Sequence, residues 1–123
     1  MKFKIGELEF GRNCKPVIIG EIGINHGGSL KTALEMVNSA SRAGLKIIKH
    51  QTHIIEDEMI PLAKKTIPGN SNKSIYEIMS ECALDEEEEF ELFKYTKSLG
   101  LEYISTPFSR AAVERLEKFG VNG

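Results

Sequence analysis

The chain has 123 residues, of which 41% are hydrophobic and 28% are charged, and its formal net charge at pH 7 is −2. This charge balance gives no reason to expect nucleic acid or an anionic membrane as a partner. Apolar stretches stay well short of the roughly 20 residues of a membrane span, and residues 1–12 lack a signal-peptide pattern. We therefore expect a cytoplasmic protein whose two cysteines, Cys14 and Cys82, are free thiols.

The first half of the chain predicts a hairpin followed by a β-α-β unit. Residues 1–11 alternate charged and apolar side chains around a glycine turn, which is typical of a β-hairpin. The β-branched run at 17–22 lacks polar alternation and predicts a strand buried on both faces. Ser29 can cap a helix that runs to Gly44, and residues 45–51 form a second strand that ends in polar residues.

The second half begins with a long segment, residues 52–73, which we expect to be irregular because it contains two prolines and a PGN turn. A short helix at 74–82 and a stronger one beginning after Asp85 follow. The inner face of the stronger helix is predicted to consist of Leu92, Phe93, Thr96 and Leu99. Its acidic run, residues 86–89, is interpreted as a solvated first turn that the helix dipole favours.

The last predicted elements are a strand at 101–106, a helix from Ser109 to Phe119, and the start of a fourth strand at 120–121. Repeated βα units with apolar strands indicate an α/β fold with a parallel sheet and right-handed crossovers. Because the first loop, GINHGG, lacks the GxGxxG spacing, a (β/α)8 TIM barrel with the hairpin at its bottom fits better than a dinucleotide-binding fold.

A complete barrel needs about 250 residues, so we expect this chain to supply only part of one. Residues 1–13 are assigned to the N-terminal β-hairpin. Residues 14–123 are assigned to the first three to four βα units, with the remainder of the barrel outside the chain.

Polar residues gather where the predicted strands end, which is where active sites of βα barrels lie. Glu21 ends the first strand, Lys49 and Gln51 end the second, and Thr106 ends the third. The period of two puts Lys49 and Gln51 on one side of their strand and His50 on the other, and on the lumen side the first two would form a charged and hydrogen-bonding pair. A charge that faces inward needs a partner. Two interpretations stay open, a structural ion pair with Glu21 and an anionic ligand.

The three histidines are expected to have structural roles. His50 and His53 have a spacing that would suit a metal on a helix, but on a strand they point to opposite sides. His26 lies in the first βα loop, near the rim of the predicted barrel, and a role in packing or capping is expected there too.

Five segments carry a resemblance to a known family, and they are VIIGEIGINHGGSLKTALEMV, IIKHQTHIIEDEM, IPGN, SIYEIM and ISTPFSRAAVERL. They closely resemble the bacterial N-acetylneuraminate (sialic acid) synthases, from Val17 to the last residue. EIGINH, KHQTH and STPFSR are together highly specific for this family. Pseudaminate synthases carry different residues around the first two blocks and fit less well, whereas legionaminate synthases are close.

The resemblance implies a barrel followed by a small antifreeze-like C-terminal domain, working as a domain-swapped homodimer. Such enzymes condense phosphoenolpyruvate with N-acetylmannosamine or a related 2-acylamino sugar and use a divalent metal, manganese or magnesium. The family's metal ligands lie on later strands and match no residue of this chain. We therefore expect the isolated chain to be inactive, and to be marginally folded unless it assembles with another copy.

The resemblance also implies roles for single residues. Glu21 matches an essential carboxylate near the reacting carbons. Lys49 and Thr106 match ligands of phosphoenolpyruvate, and Gln51 and Asn70 match residues that hydrogen-bond the sugar.

Phe108 is expected to shape the wall of the same pocket. Two other functions stay open. In the first, a Schiff-base aldolase, Lys49 would be the nucleophile, although a neighbouring Glu21 would favour its charged, unreactive form. In the second, the chain is a non-catalytic half-barrel that serves as an assembly surface. Borohydride trapping with pyruvate separates the aldolase from the synthase.

Overall fold

The computed structural model describes residues 2–123, which form two sheets and a layer of helices. The strands are β1 (Lys2–Ile5), β2 (Leu8–Gly11), β3 (Ile19–Gly23), β4 (Ile47–Thr52) and β5 (Glu102–Pro107). The helices are α1 (Leu30–Arg42), α2 (Ile55–Glu58), α3 (Ile75–Cys82), α4 (Glu86–Ser98) and α5 (Arg110–Phe119), with a 3-10 helix at Pro61–Lys65. Within this described range, every helix is too short or too polar to cross a membrane.

The central sheet is parallel and has the strand order β3-β4-β5, which is also the order along the chain. One face carries Ile22, Ile48 and Tyr103, which form a buried core with the apolar side chains of α1, α4 and α5. We call this the helix-covered face. The opposite face, called the open face below, carries residues 19, 21, 47, 49, 51, 104 and 106. The predicted α/β fold with a parallel sheet is therefore confirmed.

Helices α1 and α4 begin after the predicted positions Ser29 and Asp85. Ser29 accepts a hydrogen bond from the backbone N–H of Thr32 at 3.2 Å. Ser74 and Asp85 each take part in a reciprocal capping box at the start of α3 and α4. Each such cap stabilises its helix by about 1 kcal/mol. Gly44 has a φ of +80°, the left-handed conformation expected of a glycine that ends a helix.

The hairpin of β1 and β2 turns at Gly6, as predicted, and its Phe3 and Phe10 rings stack with centroids 5.0 Å apart. A Cβ on Gly6 would overlap the carboxylate of Glu102, so the turn lies against the amino end of β5. The division of the chain at residue 13 stays a prediction. At the other terminus, Gly123 O accepts from Ser105 N at 3.2 Å, but residues 121–123 form no strand.

Three expectations about burial and regularity were wrong. The first strand begins at Ile19, and Ile18 is 70% exposed, because β3 lies at the sheet edge and no strand among residues 2–123 covers its outer side. Leu99 caps the end of α4 and is exposed, so the inner face of that helix ends one turn earlier. The segment 52–73, expected to be irregular, contains α2 and the 3-10 helix.

Candidate functional site

The strand register brings four predicted site residues to one end of the open face. Glu21 is the register partner of Lys49, and Gln51 is the register partner of Thr106. Because the strands are parallel, these side chains share the carboxyl edge of the sheet. Lys49 Nζ donates to Glu21 Oε2 at 2.6 Å. His50 points to the helix-covered face and is buried, as the period of two predicted.

The ion pair between Lys49 and Glu21 is open to solvent. The side chains are 31% and 45% exposed, respectively, and such exposed pairs stabilise a fold by at most about 1 kcal/mol. Gly23 lies beside the pair, where a Cβ would come within 3.2 Å of Glu21 Oε1 and 3.7 Å of Gln51 Cδ. A side chain at this position would fill the space between the carboxylate and the amide. The arrangement therefore offers an ammonium, a carboxylate, an amide and a hydroxyl to a small polar ligand.

Two further predicted site residues are placed differently. Phe108 follows β5, is 47% exposed, and stacks on the His53 ring with centroids 4.2 Å apart. It therefore forms a wall next to Gln51, whose Oε1 is 3.4 Å from His53 Nε2. Asn70 is exposed in a turn of the loop before α3, and no hydrogen bond within residues 2–123 links its side chain to the four residues at the strand ends. The structure thus brings Phe108 next to Gln51, whereas the role of Asn70 stays a prediction.

Glu89 corrects the interpretation of the acidic run as solvated. Its residue is 1% exposed, and its Oε1 accepts from the Thr52 hydroxyl, from Tyr103 Oη at 3.1 Å and from His50 Nδ1 at 3.2 Å. Its Oε2 accepts from Arg115 Nη1 at 3.1 Å.

Glu89 thus ties α4 and α5 to β4 and β5, directly behind the strands that carry the candidate site. Sequence reasoning missed this carboxylate, although a signal was present. Leu92, Phe93 and Thr96 lie three, four and seven residues further on, so Glu89 falls on the inner face of the helix.

Electrostatics keep this buried carboxylate charged. Burial by itself raises the pKa of Glu89, but the hydrogen bonds and positive charge of its neighbours outweigh burial and leave the pKa below the ordinary 4.5. For Tyr103, burial and the adjacent Glu89 charge act in the same direction and raise the pKa well above 10. Tyr103 therefore stays a neutral donor to the carboxylate.

A chain of hydrogen bonds continues from Glu89 to the first βα loop. Burial, and after it the neighbouring His50, lowers the pKa of His26 from 6.5 to about 4, so this ring is neutral at pH 7. The backbone N–H of Gly28 donates to His26 Nδ1 at 3.2 Å, which places the hydrogen of the ring on Nε2. That hydrogen points to His50 Nε2 at 3.1 Å, and His50 Nδ1 then donates to Glu89.

These contacts support the expected structural role of His26 and His50, which connect the loop after β3 to the helix layer. Residues 2–123 contain no cluster of three or more His, Cys, Asp or Glu side chains that could hold a metal ion. Cys14 and Cys82 are half-buried free thiols, as predicted.

Comparisons with known proteins agree with this picture. The chain is 33% identical over 117 residues to an N,N'-diacetyllegionaminic acid synthase of Legionella pneumophila, with 90% of this chain and 32% of that protein covered. It is 30% identical over 114 residues to a pseudaminic acid synthase of Campylobacter jejuni, with 89% of this chain and 33% of that protein covered. It therefore spans about a third of the length of these relatives.

Among solved structures, an N-acetylneuraminic acid (sialic acid) synthetase from Leptospira borgpetersenii in complex with citrate superimposes with a TM-score of 0.80 at 26% identity. The match covers 98% of this chain and 39% of that one. The segment 36–123 matches the NeuB family. The resemblance noted from the sequence motifs is therefore confirmed, and the chain belongs to the NeuB family of sialic acid synthase type.

Proposed function

We propose that the protein containing this chain condenses phosphoenolpyruvate with N-acetylmannosamine, or a related 2-acylamino sugar, and releases phosphate. The observation that carries this proposal is the Lys49–Glu21 pair, with Nζ and Oε2 2.6 Å apart, beside Gln51 and Thr106 at the strand ends. Family membership supports the same reaction class. Since the named relatives make different nonulosonic acids, N-acetylmannosamine is the first substrate to test among several 2-acylamino sugars.

Lys49 and Thr106 bind the phosphoenolpyruvate in this proposal. An ammonium on a flexible stem suits a carboxylate or phosphate as a point charge, and the half-buried Thr106 hydroxyl can donate to the same anion. Binding weakens the contact between Lys49 and Glu21, because the anion competes for the ammonium. The exposure of the pair leaves room for this exchange without opening the core.

Glu21 then acts in the proton transfers of the condensation. C3 of phosphoenolpyruvate forms a bond to the aldehyde carbon of the open-chain sugar, and the aldehyde oxygen takes up a proton. Water adds to C2 and gives a proton to the carboxylate of Glu21, which acts as a general base. The bond between C2 and the phosphate oxygen breaks, phosphate leaves with that oxygen, and the remaining proton of the C2 hydroxyl passes to the phosphate as C2 becomes a ketone. The proton that Glu21 took from water is the one delivered to the aldehyde oxygen.

The sugar lies against Gln51 and Phe108. The amide of Gln51 can donate to and accept from sugar hydroxyls or the acylamino group, and the exposed ring face of Phe108 covers an apolar sugar face. Asn70 is proposed as a second sugar ligand from the motif match alone.

The architecture proposed for the complete protein is a (β/α)8 barrel that works as a homodimer. Three parallel strands in chain order, with the crossover helices on one face, favour a barrel, because a doubly wound sheet reverses its order and has helices on both faces. A divalent cation, manganese or magnesium, would act as a Lewis acid on the aldehyde. In this proposal its ligands come from residues outside 2–123.

The test uses the protein expressed from its own gene, phosphoenolpyruvate labelled with ¹⁸O in the C2–O–P bridge, and N-acetylmannosamine with manganese. We expect sugar-dependent phosphate release with the label in the phosphate. Label retained in the organic product would contradict C–O cleavage. A borohydride-stable pyruvate adduct on Lys49 would instead indicate a Schiff-base aldolase.

A further inference from the structure

A second carboxylate–histidine pair lies directly beside the candidate sugar-binding residues. His53 immediately follows β4, and Glu58 is the last residue of α2. The Nδ1 atom of His53 is 3.0 Å from both carboxylate oxygens of Glu58. The two side chains are only 2% and 5% exposed, respectively. A carboxylate is costly to bury, so the short contact with an imidazole N–H explains how Glu58 is accommodated.

The same His53 ring contacts two of the proposed substrate-binding residues. Its Nε2 is 3.4 Å from Gln51 Oε1. Its face stacks on Phe108 at a centroid distance of 4.2 Å and an interplanar angle of 22°. The contact between Nδ1 and Glu58 fixes the orientation of the ring, so that its Nε2 edge meets Gln51 and its face meets Phe108. Because Nδ1–H donates to Glu58, Nε2 of the neutral ring is an acceptor, and the Gln51 amide pairs with it by turning its NH₂ group towards the ring.

We propose that His53 and Glu58 are positioning residues that hold Gln51 and Phe108 in the geometry needed to bind the acylamino sugar. This inference rests on the proposed function. Both side chains are almost fully buried, so we assign them no contact with the reacting atoms. The pair acts on one substrate only, since Lys49 and Thr106, the proposed phosphoenolpyruvate ligands, have no hydrogen bond to His53 within residues 2–123.

This positioning role can be distinguished from a purely structural role of His53 and Glu58, because other contacts already hold the same loops together. The backbone N–H of Phe108 donates to Thr52 O at 3.2 Å. Asp57 Oδ2 accepts from the backbone N–H of Ala111 at 3.0 Å and so fixes α2 to the first turn of α5. Asp57 is therefore a matched control, one residue from Glu58, which anchors the same loop without contacting Gln51 or Phe108.

The experiment compares His53→Asn, His53→Gln and Asp57→Asn by steady-state kinetics in the protein expressed from its own gene. An Asn amide reproduces the position of Nδ1 and loses the contact with Gln51, whereas a Gln amide reaches the position of Nε2. We expect the KM for the sugar to rise about tenfold in His53→Asn and about threefold in His53→Gln, the size expected for one hydrogen bond. The KM for phosphoenolpyruvate should change less than about twofold in both, which is within 0.4 kcal/mol.

Asp57→Asn should lower the melting temperature and leave both KM values unchanged. His53→Asn combined with Gln51→Ala should raise the sugar KM by less than the product of the two single effects, because both substitutions remove the contact between His53 and Gln51. The proposal is overturned if His53→Asn keeps the wild-type sugar KM, or if it raises both KM values as a folding defect would. Failure of the proposed function has a different signature, since the wild-type protein would then show no sugar-dependent phosphate release.

Discussion

Replacing Glu89 by Gln tests whether the buried hydrogen-bond cluster behind the strand ends holds the helix layer to the sheet. The carboxylate is an acceptor on both oxygens, with Arg115 on Oε2 and three donors on Oε1. An amide presents one oxygen only, so its NH₂ group must face either the guanidinium or the other donors.

The expected loss of stability follows from the buried groups that the substitution leaves without a partner. The Arg115 side chain is largely buried, and its Nε already has no hydrogen-bond partner. Loss of the Glu89 charge leaves the guanidinium without its carboxylate, and breaking a buried pair by removing one partner costs about 3–5 kcal/mol. For a chain of this size that corresponds to a fall in Tm of about 10–20 °C.

The assay is urea or thermal denaturation at pH 7, with Glu87→Gln as the control. Glu87 is exposed in the same first turn of α4, so its substitution should change stability by less than about 0.5 kcal/mol. A Glu89→Gln protein within about 1 kcal/mol of wild type would refute the assignment of this carboxylate as a structural centre.

Two further predictions concern the loop after β3. Because the pKa of His26 is about 4 in the folded protein and 6.5 in the unfolded chain, its contribution to stability is complete above pH 6.5 and is lost as the pH falls towards 4. In urea denaturation, the free energy of unfolding should be lower at pH 4.5 than at pH 7, and protonation of this ring should account for about 2–3 kcal/mol of the difference. The His26→Gln variant should lack that contribution. Gly28→Ala should destabilise by about 3 kcal/mol or more, since a Cβ would overlap the backbone carbonyl of Glu81 and the φ is +75°. Gly27→Ala, with a φ of +60° and open space around its Cβ, should cost only about 1–2 kcal/mol, so equal losses of stability would contradict this packing.

Local sequence signals were enough to predict most of the fold. Helix starts at Ser29, Asp85 and Ser109 were predicted because a cap depends on residues within three positions, and each of the three caps a helix in the structure. Lys49 and Gln51 were likewise assigned to one face of β4 and His50 to the other, because successive side chains of a strand point to opposite faces.

Features that depend on distant residues were harder to predict. The partners of Glu89 come from β4, β5 and α5, and helical spacing alone does not reveal whether a carboxylate at an inner position is paired. Glu58 was missed because it ends a four-residue helix, too short to give a periodic pattern, in a segment expected to be irregular. The exposure of Ile18 depends on which strand lies beside β3, which the local sequence does not specify.

The central claim is that the amine at the end of β4 binds the anionic substrate, and calorimetric titration of phosphoenolpyruvate into Lys49→Met and Lys46→Met tests it most directly. Lys46 is exposed just before the same strand, at the opposite end from the candidate site. We predict that Lys49→Met weakens binding at least about tenfold, as loss of a charged hydrogen bond should, while Lys46→Met binds like wild type. Equal affinity in the two variants would contradict the account.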